Sequence, residues 1–283
     1  MRSKLLFIFL SFLFFNTSIL AQDDYEYEIE DTSASRFSIG INVGAFFANN
    51  NTAILYSGSP RVTNYGINYI FNRQDLKQTF DNYFVHPYSI DEYPIESSYK
   101  TTAELGIHLG YQFSNLIAAF IEFNSIQLKY EQYFTVAIRD PQNSNTLEPY
   151  RYEKFPIYGE ESRFNLNMGT QISYFHENET NAYLALFGNI NGVKLKRNYF
   201  ILNQIEYEIQ HPIDNDFNRK PGGIGYGVGG GLGLKFSVSE KIIADIYYNL
   251  YYTQTNLTEF LNTYSYNHSI GLRILWKKQK TTY

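Results

Sequence analysis

From residue 36 to residue 277 the chain repeatedly alternates apolar and polar residues with a period of two, the pattern of strands with two chemically different faces. Eight such segments can be laid out. In residues 36–47, Phe37, Ile39, Ile41, Val43, Ala45 and Phe47 share one face, and Ser38, Gly40, Asn42 and Gly44 the other. Residues 99–113 set Ala103, Leu105, Ile107, Leu109 and Tyr111 against Glu104, His108 and Gln112. A third segment starts at Ile117 and changes phase near Asn124 and Ser125, which predicts a β-bulge. Residues 163–175 alternate again, with Arg163 on the polar face. Residues 183–196 change phase at Asn191 and Gly192, which turns Lys194 and Lys196 inward. Residues 224–236, 242–253 and 266–276 complete the set.

Alternation alone would also suit a secreted β-sandwich. The 224–236 segment decides between them: Ile224, Tyr226, Val228, Leu232, Leu234 and Phe236 line one face, while the other is almost all glycine and ends in Lys235. A two-layer soluble core has no use for that face, whereas a narrow barrel needs an apolar outside and small or polar groups inside. The predicted fold is all-β, a transmembrane antiparallel up-and-down barrel of eight strands. Short links at 113–116, 176–180 and 237–240 alternate with long ones at 48–98, 137–162, 197–223 and 254–265. Short turns mark the periplasmic end, so both termini are expected there and four loops outside.

Residues 1–21 carry a basic start (Arg2, Lys4), an apolar run and a close in Ser18-Ile19-Leu20-Ala21, the order of a secretory signal peptide. The run is too short to span a bilayer, and no later stretch offers the roughly 18 charge-free apolar residues a membrane helix needs. Residues 22–35 hold six acids and no base and read as a periplasmic tail, leaving 36–283 for the barrel and its loops. The expected location is therefore the outer membrane of a Gram-negative bacterium, reached through the Sec pathway.

Composition sharpens this. Aromatic residues make up 18%, with 27 Tyr and 23 Phe, and a phenol ring suits the bilayer interface. The mean hydropathy of −0.33 is no objection, because half of each strand faces inward. With no cysteine, an exported chain must rely on its closed hydrogen-bond ladder. The net charge of −5 gives nothing to attract nucleic acid.

Inward charges are placed for pairing. Symmetric pairing about Glu259 sets Asp245 opposite Arg273, and a tight turn at 114–116 sets His108 opposite Glu122. With Glu104, Arg163, Lys194 and Lys196 these form an expected polar network that fills the lumen. Pairing Phe236 with Ile242 would lay Tyr247 over Gly231 and Tyr251 over Gly227. In the first loop, Phe71, Asn72, Asp75 and Leu76 fit an N-cap with a hydrophobic staple. Leu76, Phe80, Tyr83 and Phe84 then follow at helical spacing. This predicts a surface helix, either a lid on the barrel mouth or a partner-binding element.

No catalytic, metal or cofactor constellation is evident. Gly225-x-Gly227-x-x-Gly230 copies a dinucleotide fingerprint but lies within a strand. Asp214-x-Asp216-x-Asn218 starts like a calcium loop, yet Arg219 and Gly225 stand where glycine and glutamate belong. His268 and Ser269 are adjacent, so a strand sends them to opposite faces.

The Leu20-Ala21-Gln22 close, the 225–236 strand followed by Ser237-Val-Ser-Glu-Lys, and the tyrosine-rich 246–252 strand carry a resemblance. In these the chain resembles the small outer-membrane β-barrel proteins of Bacteroidota, including the PorT-like barrels linked to type IX secretion and gliding. That resemblance implies a non-enzymatic accessory subunit of a multi-protein envelope assembly, with outer-membrane lipid and other outer-membrane proteins as partners. It departs from the family's pattern at the end, where Trp276 is followed by Lys277 and six more residues. A small gated pore and a surface adhesin or glycan-binding barrel are the competing expectations.

Overall fold

The computed structural model describes residues 34–140, 149–177, 180–214 and 216–279. The expected signal peptide and the acidic tail through residue 33 lie outside them. The strands are β1 (Ala34–Phe47), β2 (Tyr88–Glu92), β3 (Thr102–Gln112), β4 (Ile117–Arg139), β5 (Tyr150–Glu177), β6 (Thr180–Leu202), β7 (Ile205–Glu208), β8 (Gly222–Ser237), β9 (Ile242–Asn256) and β10 (Asn262–Gln279). Each of β1, β3, β4, β5, β6, β8, β9 and β10 pairs antiparallel with the next, and β10 returns to β1 through Ile41 opposite Ile274. This is the expected eight-stranded barrel, closed on itself.

At one end the barrel has an apolar outside. Ile39, Ile41, Ile107, Ile121, Met168, Leu186, Val228, Ile246 and Ile270 all point outward and are exposed, while Asn42, His108, Glu122, Asn167, Asn189 and Asp245 are buried inside. Only a lipid environment makes this arrangement favourable, since such a belt far exceeds the apolar patches soluble monomers show. Exposed aromatic rings flank the belt, with Tyr111, Phe113, Tyr174 and Trp276 toward the short turns and Tyr226, Tyr252 and Tyr266 toward the long loops.

Beyond the belt the same strands continue with their faces exchanged. β4 has 23 residues and β5 has 28, against the roughly 9–11 a membrane strand needs. In β4 the even-numbered residues stay inside without a break from Ala118 to Tyr130, in unshifted register with β3 and β5. The bulge expected at Asn124 is therefore absent. The interior changes instead, from Glu122 and Asn124 to Ile126, Leu128 and Tyr130, while the outside becomes Ser125, Gln127 and Lys129.

β6 repeats the exchange. Asn189 and Asn191 give way inside to Val193 and Leu195, so Lys194 and Lys196 point outward into solvent, not into the lumen as expected. A register shift does occur in β6, but higher up, between Leu195 and Arg197. Gly192 is an outward glycine lying under the ring of Phe164.

Above the bilayer the ring opens. β2 takes the place beside β4 that β3 holds lower down, and β7 the place beside β6 that β8 holds. β2, β4, β5, β6 and β7 thus form a five-stranded sheet whose outer members, among the described residues, pair on one side only. The 48–98 loop packs on its inner face through a 3-10 helix (Asn50–Ser57) and the helices α1 (Ile67–Phe71) and α2 (Gln74–Phe84). Phe134, Ile138, Phe155, Ile157 and Phe200 of the strands meet Leu55, Ile67, Phe71, Phe80 and Phe84 of the loop in a dry core.

The helix read from residues 76–84 is real, but its cap is not Asn72. Asn72 closes α1 and donates its side-chain amide to the Asn68 carbonyl at 2.7 Å, while Arg73 precedes α2 without a side-chain cap. Much of the 137–162 segment, expected as a loop, is strand for the same reason as β4: its inward residues Phe155 and Ile157 belong to this second core.

Candidate functional site

The interior of the barrel is the most strongly constructed feature, and Arg273 is its centre. Inward-facing on β10 and only 1% exposed, it stands opposite Asp245 on β9. One terminal nitrogen donates to Asp245 Oδ2 at 2.6 Å, the other contacts Glu122 Oε1, and Nε donates to Asn42 Oδ1 at 2.8 Å. The guanidinium also lies 4.7 Å from the centre of the Tyr247 ring. On β3, His108 meets Glu122 through Nδ1 at 2.9 Å, and Tyr183 of β6 donates to Asp245 at 3.0 Å. The cation is thus shared by two carboxylates from opposite walls, which ties β4, β9 and β10 together across the lumen. Pairing is what makes burial of these charges tolerable.

Around this centre runs a set of amides. Asn42 donates to Asn124 at 3.0 Å, Asn189 to Asn167 at 2.7 Å, and Asn167 to Glu122 at 3.3 Å. Lys235, the single charged residue of the glycine face, reaches Gln171 at 2.5 Å. Glu104 is buried beside Asn124 and Ser269.

A second charged layer sits nearer the long loops. Arg163 Nε donates to Glu161 Oε1 at 2.5 Å and its terminal nitrogen to Thr52 Oγ1 at 3.0 Å. Tyr56 and Tyr99 donate to the other Glu161 oxygen at 3.0 and 2.6 Å. Thr52 and Tyr56 belong to the 3-10 helix, whose start is fixed by Asn49 accepting from the Asn51 amide and whose end is Gly58 at φ 65°. The loop therefore enters the barrel and is bolted to its wall. Between the two layers, Phe46, Asn165, Asn191, Tyr251 and Asn267 border a cavity of about 10 Å³, room for about one water molecule.

The structure brings together Glu104, His108, Glu122, Asp245 and Arg273, and places Arg163 in the layer above; Lys194 and Lys196 are outside. Thr52, Tyr56 and Glu161 carry no signal in the sequence, because they lie in segments whose pattern predicts loops. The glycine cover differs from the expected one: Phe236 stands opposite Ala244, two residues from the expected Ile242. Gly229 and Gly233 lie under Phe187 and Tyr183 of β6, and the Tyr247 hydroxyl reaches Gly271.

Of the residues expected to bind a partner, Phe71, Phe80 and Phe84 are buried in the protein's own core, and Leu76 is half-buried against it. Phe71 stacks on Phe80 at 4.8 Å, and Phe84 meets Phe155 edge-on at 5.9 Å. Tyr83 alone is exposed, at 37%. The segment is a lid on its own barrel because its apolar stripe is needed to cover the inner face of the upper sheet. His268 and Ser269 do diverge: the imidazole packs outside against Phe47, tilted at 42°, and the hydroxyl is buried.

No protein-family profile matches the chain, and no curated protein matches it significantly in sequence. Among solved structures it is similar to Neisserial surface protein A (11% identity, 87% of this chain, 99% of that one, TM-score 0.40). It is also similar to the attachment invasion locus protein Ail of Yersinia pestis (12%, 87%, 99%, 0.37) and to the outer membrane protein OprG of Pseudomonas aeruginosa (9%, 88%, 98%, 0.38). The fold assignment itself stands on the strand pairing and the outward apolar belt.

Proposed function

We propose that this chain is a non-conducting, non-enzymatic barrel of a Gram-negative outer membrane, delivered by Sec export, that holds a rigid recognition module above the cell surface. The observation carrying this reading is the double closure of the lumen, by the Arg273 layer and by the Arg163 layer into which the first loop is bonded. A gated pore would need both to open, and the second is continuous with a dry aromatic core. The purified protein in planar bilayers is expected to be electrically silent, and Arg273→Ala to stay silent because the upper closure remains. Stable stepwise conductance in either protein would reverse the reading in favour of the pore.

Recruitment into a larger envelope assembly is a second reading. It is favoured by the pairing of β2 and β7 on one side only among the described residues, which leaves backbone edges suited to strand addition by a partner, and by the resemblance to the Bacteroidota barrels. Extraction of tagged protein in mild detergent would then retain a partner in stoichiometric amount, and substituting proline within 88–92 or 205–208 would release it. A lone barrel under those conditions would leave only the first reading.

A further inference from the structure

We propose that the concave surface lined by Pro60, Thr63, Asn64, Asn68, Tyr69 and Asn72 is a binding site for a neutral carbohydrate; this rests on the reading above that the long-loop end faces the medium. The surface opens a pocket of about 250 Å³, just below the roughly 300 Å³ at which small-molecule sites begin and enough for one sugar ring. Its lining includes Pro60, Thr63, Asn64, Asn68, Tyr69 and Asn72, with no ionisable group other than the tyrosine phenol. A phosphate or acidic ligand would call for arginine or lysine there. Side-chain amides, which both donate and accept, suit the hydroxyl fringe of a sugar. Asn72 donates to the Asn68 side chain at 3.2 Å, which orients both amides and leaves the Asn68 amino group and the Asn72 oxygen for a ligand.

Beside the amides stands an aromatic platform. Tyr65 meets Tyr69 edge-on at 5.1 Å and Phe217 at 5.0 Å, and Tyr69 and Phe217 are 47% and 49% exposed. The half-exposed Tyr69 ring, on the rim of the amide-lined pocket, offers an apolar face that the C–H face of a pyranose can cover. The site is also pre-formed. A Cβ at Gly66 would come within 2.2 Å of the Gly58 oxygen, so the two backbone segments touch, and the Ile67 amide donates to that oxygen at 3.0 Å. Thr63 donates to the Gln210 carbonyl at 2.8 Å, and Ile67 and Ile70 anchor the floor in the core. A rigid floor lowers the ordering cost of binding.

The test uses the full mature chain in detergent micelles and a panel of neutral oligosaccharides built from hexoses and N-acetylhexosamines, read by saturation-transfer NMR and titration calorimetry. Binding of at least one probe is expected, weakened roughly tenfold or more by Tyr69→Ala and by Asn68→Ala, both exposed positions at which folding is retained. Binding that persists undiminished in both variants, or no binding by any probe, overturns the site. Because the chain has no cysteine, Asn64→Cys can be labelled uniquely with a membrane-impermeant maleimide on intact cells. Labelling with no sugar binding would sink the carbohydrate site alone, whereas labelling only after lysis would sink the outward orientation and the site with it.

Discussion

The two halves of β4, β5 and β6 obey opposite rules. Within the bilayer, Ile121, Phe123 and Met168 face out and Glu122, Asn124 and Asn167 face in; a few residues higher, Gln127, Lys129 and Lys194 face out and Leu128, Ile157 and Val193 face in. The β4–β5 ladder runs unshifted through both halves, so the backbone is indifferent to the inversion. What changes is the solvent. Lipid rewards apolar exteriors and leaves the interior to satisfied polar groups, while water drives the apolar residues inward. The lower core is held by directional pairs that must all be made, the upper one by close-packed rings.

That contrast can be broken most severely at Arg273. Removing it as Arg273→Ala leaves Asp245 and Glu122 buried without their cation, at an expected cost of about 3–5 kcal/mol. The unfolding midpoint in urea, followed by heat-modifiable gel mobility, should drop accordingly. An unchanged midpoint would show that the lumen network does not stabilise the barrel.

Phe134→Ala is the matching lesion in the upper core, where the ring is fully buried among Phe71, Phe155 and Phe200. It should cost about 3 kcal/mol. The damage should stay local: limited proteolysis would cut the 48–98 segment while the membrane barrel keeps its folded mobility. Loss of the whole barrel would mean the two halves are one cooperative unit.

On the outer surface, Ile121→Arg should destabilise by about 2–4 kcal/mol in liposomes, while Lys129→Ala, eight positions along the same strand face, should fall within about 0.5 kcal/mol. Equal effects would mean that the bilayer boundary lies elsewhere.

The smallest effect is a pH response confined to the module. Burial holds the imidazole of His211 down at about 4, while its Nε2 meets the Asn198 amide at 2.8 Å. A histidine with a lowered folded value prefers to be neutral in the native state. Its stabilising share is therefore present at neutral pH and is lost as the pH falls from about 6.5, the unfolded value, toward 4. Amide exchange around residues 198–211 should accelerate across that window, and His211→Asn should flatten the response.

How far the sequence could be read follows the same boundary. In the lipid half, alternation reports both faces, a tight turn sets His108 against Glu122, and symmetric pairing about Glu259 sets Asp245 against Arg273. In the upper half the alternation continued with inverted meaning. Ile126 and Leu128 were then assigned to the outer face, at the cost of a bulge that does not exist, and Lys194 and Lys196 to the inner one. Leu76, Phe80, Tyr83 and Phe84 show helical spacing, but not which surface takes them.

The period of two, the glycine face of β8 and the tight turns together determined an eight-stranded membrane barrel, because closure and a lipid exterior impose those constraints strand by strand. Only the tertiary structure decided where each strand leaves the bilayer and that the first loop enters the barrel to bond with Glu161 and Arg163. Those outcomes depend on which solvent or side chain meets each face, and residues distant in the chain supply that information.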